Sequence, residues 1–191
     1  GRGAPRRGRR APPLSAPPPW RRLSRRTHLE NRWIKVHCDE VAVPSGALLN
    51  HWVVDYQRVG VGVVPVLPDG RVLLGLHYRY TVDRWGWEIA AGGADPGEDL
   101  EAAALRELAE ETRHRAARLE RLGEYHPAPG LGNERFVLYR ATGIAEDPDA
   151  PLDTDEIHGL RAFDRAEVHA AIAEGEVFDG FTITGLLWAL R

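Results

Sequence analysis

The feature that most constrains this chain runs from Gly92 to Glu111. Gly92 is followed after five residues by Glu98, and after seven more by Arg106-Glu107-Leu108-Ala109-Glu110-Glu111. Residues 99 to 112 (DLEAAALRELAEET) are rich in Ala, Leu and Glu, which favours a helix. On that helix Glu107, Glu110 and Glu111 stand at i, i+3 and i+4, so three carboxylates project from one face. Carboxylates crowded in this way repel one another unless a cation neutralises them, and hard oxygen donors suit Mg²⁺, with Mn²⁺ as a substitute. Ala104, Leu105 and Leu108 are expected to pack on a sheet. Glu98, in the loop before the helix, can fold back onto Arg106, a pair suited to orienting metal-binding carboxylates. The Ala91-Gly92-Gly93 loop lets backbone approach a metal and phosphate where a Cβ at Gly92 would obstruct it. A solvated acidic helix face is the other meaning of such Glu-rich text, and the helix by itself leaves both open.

Around this segment the sequence alternates strand and helix signals. WIKVHCDEVAV and HWVVDYQRVGVGVVPVL are β-branched runs, the second expected to break at Gly60 and Gly62. Pro68-Asp69-Gly70 makes a turn, with RVLLGLHYRY expected as the partner strand of a hairpin. WGWEIAAGG reads as a short strand running into a glycine loop, and LERLGEYHPAPG and ERFVLYRATGI as further strands. LRAFDRAEVHAAIAEGE gives a strand and a short helix with Asp164 as N-cap, and FTITGLLWAL a closing helix. Mixed strands with helices outside predict an α+β fold, an α/β/α sandwich with a mixed sheet between helices.

Charge is unevenly distributed. Residues 1 to 26 contain nine Arg, six Pro and no acid, whereas the remainder carries 16 basic against 28 acidic side chains. The expected organisation is a disordered Arg/Pro-rich tail over 1–26 and one domain over 27–191, with an N-terminal β segment at about 33–56. An acidic body is a poor partner for polyanions without an intervening divalent metal, so nucleic acid is not the expected partner. Cys38 is the only cysteine, which excludes a disulfide framework and fits a reducing, cytoplasmic setting. No apolar run is long enough to span a membrane. The chain has no Met, so Gly1 is not expected to be a translation start.

With every spacer correct, Gly92, Glu98 and Arg106 to Glu111 match the Nudix box, G, five residues, E, seven residues, REUxEExGU, with U aliphatic. The chain therefore resembles the Nudix hydrolase superfamily. Arg113 stands where the box has its last Gly and His114 where it has an aliphatic residue; a left-handed position there would cost Arg113 stability or shift the helix end. Over residues 33–191 the resemblance is to the ADP-ribose pyrophosphatase branch. It is carried by HYRYTVDRWGWEIAAGG, similar to RQYRxPV...WELPAGG, by YHPAPGLGNERFVLY, similar to PSPGxxxE, and by the late acidic loop with its terminal helix. His77 replaces a Gln of that pattern, and Ala90 the Pro of its PAGG loop.

This resemblance implies metal ligation by the Ala91 carbonyl, Glu107, Glu110 and Glu111, with Glu111 also catalytic and Glu98 and Arg106 in support. It further implies that Glu156, with Asp155 and Asp153 behind it, positions a metal-polarised water, and that Pro129 contributes to substrate specificity. Arg79 and Arg84 are candidates for phosphate or terminal ribose, and Trp33, Trp85 or Trp87 for stacking on adenine. The implied partners are a nucleotide-sugar substrate and a second copy of the chain, in a homodimer where an N-terminal β segment completes the partner's site. The implied reaction is Mg²⁺-dependent cleavage of ADP-ribose to AMP and ribose 5-phosphate. GDP-mannose or ADP-glucose as substrate, and a non-catalytic nucleotide-sugar binder on the same fold, remain alternatives.

Overall fold

The computed structural model describes residues 18–151 and 155–191. In chain order the elements are β1 (Arg21–Glu30), β2 (Ile34–Ala42), β3 (Leu48–Tyr56), β4 (Gly60–Pro65), β5 (Val72–Arg79), β6 (Arg84–Glu88), β7 (Ala90–Gly93), α1 (Leu100–Thr112), β8 (His114–Tyr125), β9 (Phe136–Glu146), β10 (Ile157–Phe163), α2 (Arg165–Glu174) and α3 (Gly180–Ala189). A mixed sheet in the order β7-β4-β9-β8 contains the parallel pair β4–β9; beside it stands the antiparallel sheet β10-β5-β6. A separate antiparallel sheet, β1-β2-β3, precedes both.

The two-residue period of β4 and β9 builds the layers. Val61, Val63, Val137 and Tyr139 face one side and pack with Ala103, Ala104 and Leu108 of α1. Val64, Phe136 and Leu138 belong to the opposite cluster, with Leu186 and Ala189 of α3 and Val168 and Ala171 of α2. The mixed sheet thus lies between α1 and α3, as the sandwich reading expects. Helix α2 starts at a reciprocal capping box between Asp164 and Glu167.

Several local expectations are corrected. Residues 21–26, assigned to a disordered tail, lie in β1, while residues 1–17 fall outside the described structure. Burial was the wrong criterion for this segment. All ten β1 residues are exposed, and the strand is held by backbone pairing to β2 and by Arg25, whose Nε and Nη2 each donate to Asp39 at 2.7 Å. The break between β3 and β4 falls at 57–59, not at the glycines. Gly60 and Gly62 lie inside β4 because a Cβ there would run into Phe136, or into Leu138 and Ile89. Beyond a single bridge between Val66 and Val72, β5 does not pair with β4; it leaves for the other sheet. The Ala-Ala-Gly-Gly segment is strand β7, paired with β4, rather than a loop. Leu105 is exposed, and Ala103 takes its place on the packed face.

The loop before β9 is stitched to the N-terminal sheet. Val54 N–H donates to the Leu131 carbonyl at 2.9 Å, and Asn133 N–H to the Val54 carbonyl at 3.3 Å. The Asn133 side-chain oxygen accepts from Tyr56 N–H at 2.6 Å, while its amide nitrogen donates to Asp55. Gly132 makes this approach possible, since a Cβ there would overlap the Val54 carbonyl oxygen.

Candidate active site

Helix α1 begins at Asp99, whose side chain accepts from Glu101 and Ala102 N–H at 3.0 and 3.1 Å. Burying Ala103, Ala104 and Leu108 turns Glu107 and Glu111 toward β7. Both are nearly removed from solvent, at 9% and 4% exposure. The Ala91 amide donates to Glu111 Oε2 at 3.0 Å. A Cβ at Gly92 would overlap the Glu107 carboxyl group, so the box glycine makes room for an acid.

Arg106 pairs with Glu98 and with two of the helix acids. Its Nε and Nη2 donate to the two Glu98 oxygens, each at 3.1 Å, and Nη1 donates to Glu107 at 2.8 Å and Glu110 at 3.1 Å. Glu98 in turn accepts from Asp95 N–H at 2.8 Å. The Arg106 guanidinium holds the Glu98 carboxyl below the usual range, and Glu98 foremost raises Arg106. Burial pushes Glu107 up against the pull of Arg106. Burial pushes Glu111 well above the ordinary value, with Glu107 and Glu156 adding to the rise and the Ala91 amide opposing it. Two carboxyls that resist ionising, on a face with a third, fit a site for a hard divalent cation. Among the described residues no three acidic or imidazole groups already converge as a ligand set. Arg106 Nη1 meets one oxygen each of Glu107 and Glu110, which leaves the second oxygen of either carboxyl outside that contact.

Arg106, Glu107, Glu110 and Glu111 line a cleft of about 300 Å³ with Ala91, Gly92, Gly93, Asp95, Trp33, Arg58 and Glu156. Glu156 therefore joins the helix acids from a distant part of the chain. A second hollow, about 340 Å³, shares Trp33, Arg58 and the Ala91-Gly92-Gly93 strand and continues over Ile34, Tyr56, Phe136, Phe181, Glu134 and Arg79. Phe136 and Phe181 stack there with centroids 4.8 Å apart. A smaller hollow of about 160 Å³ between α2 and α3 has no acid among its described lining residues.

Other candidates are distributed differently. Arg79 reaches the second hollow, but its Nε and Nη2 are committed to fully buried Glu88, which raises its pKa. Arg84 is elsewhere: it donates to the Gly175 carbonyl at 2.8 Å and covers the Phe178 ring. Pro129 is exposed in the stitched loop and lines neither hollow. Trp85 packs against Tyr78 and His158, and Trp87 against Phe163; of the three tryptophans Trp33 alone lines the cleft. Asp153 lies outside the described residues. Sequence reasoning missed Arg58, whose guanidinium lies 4.7 Å from the Trp33 ring centre and 2.8 Å from Asp95. The available signal was a lone base in the short gap between two apolar strands.

Beneath the cleft, His77 is buried with Nε2 3.9 Å from Glu111 Oε2 and no hydrogen bond to that nitrogen among the described residues. Burial lowers its pKa to about 4. Asp179 caps α3, accepting from Thr182 N–H at 2.8 Å, and burial raises its pKa to about 6.

Arg113 ends α1 without shifting it, in the left-handed conformation at φ 54°. For a residue with a Cβ this costs about 1 kcal/mol. Its amide donates to the Ala109 carbonyl, its carbonyl accepts from Asp147 N–H at 2.7 Å, and its guanidinium donates to the Pro148 and Ala150 carbonyls at 2.8 and 3.2 Å.

A mixed sheet between helices, with an arginine-organised acid cluster at the junction of β7 and α1, defines a hydrolase of the Nudix class. The NUDIX domain model matches residues 56–180, and the chain belongs to that family. It is 30% identical over 153 residues to the methanol dehydrogenase activator of Bacillus methanolicus, covering 80% of this chain and 82% of that protein. It is also 30% identical over 152 residues to an ADP-ribose pyrophosphatase of Mycobacterium tuberculosis, covering 78% of this chain and 72% of the relative. The crystal structure of an ADP compounds hydrolase shares the fold, with a TM-score of 0.82 at 19% identity over 91% of this chain and 94% of that one. The protein is thus a Nudix hydrolase similar to the ADP-ribose pyrophosphatases, in a family that generally works with divalent metals. No helix among the described residues is long and apolar enough to cross a membrane.

Proposed function

We propose that the protein hydrolyses the pyrophosphate of a nucleoside diphosphate sugar in the presence of Mg²⁺, with ADP-ribose the leading substrate and AMP and ribose 5-phosphate the products. The observation that carries this reading is the union of two unlike hollows across Trp33, Arg58 and β7. The acidic cleft suits a metal-bound pyrophosphate, and the aromatic hollow a nucleoside base. Glu107, Glu110, Glu111 and the Ala91 carbonyl would hold Mg²⁺, or Mn²⁺ in its place; when bound, the cation supplies charge neutralisation and an activated water. Arg106, anchored by Glu98, keeps Glu107 and Glu110 within reach of the cleft. Glu156 accepts a proton from the attacking water. Arg58 pairs with a phosphate, the bidentate role for which a guanidinium is suited, and Trp33 stacks on the base.

Arg79 contributes through the side of its guanidinium not bound to Glu88, and Pro129 through the loop stitched to β3. Arg84 drops out of the reading because its guanidinium is used at Gly175 and Phe178. Exposed Trp20, Leu48, Leu49 and Trp52 on the N-terminal sheet support a homodimer. Cys38, a lone thiol, accords with a cytoplasmic setting.

The test is phosphate release in a phosphatase-coupled assay across ADP-ribose, ADP-glucose, GDP-mannose, NADH, diadenosine polyphosphates and dNTPs, with Mg²⁺ or with chelator. ADP-ribose is expected to lead, chelator to abolish the signal, and Glu111→Gln to lower turnover by several orders of magnitude in a folded protein. A rate indifferent to chelator, or a folded protein inert toward every compound, would remove this reading.

A further inference from the structure

A buried ring nitrogen without a hydrogen-bond partner is costly, and native folds seldom keep one idle. His77 keeps one: the residue is 3% exposed, and Nε2 has no hydrogen-bond partner among the described residues. Its backbone is fixed in β5, paired with Ile157 of β10 on one side and Gly86 of β6 on the other. The ring is packed as well, since a Cβ at Gly75 would come within 3.2 Å of Nε2. Two acids lie near it. Both oxygens of fully buried Glu88 accept from Arg79, which leaves the Glu111 carboxyl, whose Oε2 stands 3.9 Å from Nε2. The same Oε2 accepts the Ala91 amide at 3.0 Å. One oxygen of Glu111 is thus faced by two protein nitrogens, and Oε1 lies outside both contacts.

We infer that His77 is a positioning residue for Glu111: the neutral ring, with its proton on Nε2, donates to Oε2 when that carboxyl ligates a divalent cation, and so presents Oε1 to the cleft. This rests on the metal-ligand role proposed for Glu111. The 3.9 Å separation is longer than a hydrogen bond; a shift of roughly 1 Å closes it, and contacts of this kind commonly tighten only once a site is loaded. A carboxylate that binds a cation gains from a donor on its other oxygen, which fixes its orientation. A neutral imidazole supplies that donor without setting a second positive charge beneath the metal, as Lys or Arg would. A ring kept only for packing predicts a different pattern, since an apolar side chain could replace it with no effect on metal binding.

The experiment measures Mn²⁺ binding by electron paramagnetic resonance and Mg²⁺ binding by calorimetry, both without substrate. It compares wild type, His77→Leu, His77→Phe, His77→Gln, Glu111→Gln and the double variant Glu111→Gln with His77→Leu. Thermal unfolding in chelator, and kcat and KM at saturating Mg²⁺, accompany the titrations. His77→Leu and His77→Phe, one smaller and one keeping a ring, both remove the partnerless N–H; whichever folds with a wild-type Tm in chelator at neutral pH should bind both metals between about tenfold and a hundredfold more weakly. Its KM at saturating Mg²⁺ should be unchanged. His77→Gln, which can place an amide donor near the same oxygen, should recover part of the affinity. In the Glu111→Gln background His77→Leu should have no further effect, because the two side chains act as a unit. Weaker metal binding in Glu111→Gln with wild-type affinity in the apolar His77 variants would overturn this inference alone, and so would an equal loss from His77→Leu in both backgrounds. Wild-type metal affinity and turnover in Glu111→Gln would overturn the Glu111 role and this inference with it.

Discussion

Replacing Asp179 by Asn should stabilise the metal-free protein, and only above acid pH. Asp179 lies at the start of α3 in a partly buried site, near the Glu88 carboxylate and Arg79. Burial first, opposed by the Thr182 amide, raises its pKa from 3.8 to about 6. In the unfolded chain the carboxyl ionises near 3.8, so between that pH and about 6 the folded state binds more protons, and stability falls as pH rises through the window. About two pKa units at 1.36 kcal/mol each give about 3 kcal/mol, reduced to about 2 by residual solvent screening. Asn accepts the Thr182 N–H bond about as well as Asp, so the cap survives. Urea unfolding followed by tryptophan fluorescence, with chelator, should show Asp179→Asn more stable by about 2 kcal/mol at pH 8, or about 4–8 °C in Tm. At pH 4 the gain should nearly vanish. An equal gain at both pH values, or none at pH 8, would refute the attribution to a buried charge.

His77 predicts the opposite slope. With burial lowering its pKa from 6.5 to about 4, the unfolded chain takes up a proton that the folded state refuses, and stability is lost as pH falls from 6.5 toward 4. The stability difference between wild type and His77→Gln should therefore shrink by up to about 3 kcal/mol between pH 7 and 4; a difference independent of pH would exclude this origin. Gly92→Ala pushes a methyl group into the Glu107 carboxyl, so calorimetry should find weaker Mg²⁺ binding and kcat/KM should fall by about a hundredfold, with little change in Tm. Wild-type kinetics in that variant would mean Glu107 is not held where the metal site needs it.

Much of the site was legible because its determinants are local. The spacing of Glu107, Glu110 and Glu111 becomes one helix face, and Glu98 lies close enough in sequence to clasp Arg106. The convergence of Arg58 and Glu156 on the same cleft depends on how β4 and β10 enter two different sheets, which no short-range pattern encodes. Arg84 and Trp85 read as site residues by their place in a resembling segment, yet the strand carrying them directs them toward α2 and β10. β1 escaped notice because its stability comes from pairing and an Arg25–Asp39 clasp, neither of which leaves apolar periodicity. Arg113 read as a defect in a motif. Only the returning loop reveals what its guanidinium holds.

The stitching of residues 131–133 to β3 bears on how this protein can be re-engineered or can drift. Tyr56, at the end of β3, also borders the aromatic hollow, so the shape of that hollow is shared by two segments far apart in sequence. A chimera that imports a relative's N-terminal sheet to reshape that hollow must import residues 131–133 as well. Otherwise the retained Asn133 oxygen and Gly132 must meet a foreign backbone at positions 54 and 56, and an imported β3 that runs differently there loses the Asn133 bond or collides with the loop. The unit of exchange is the sheet together with its distant loop.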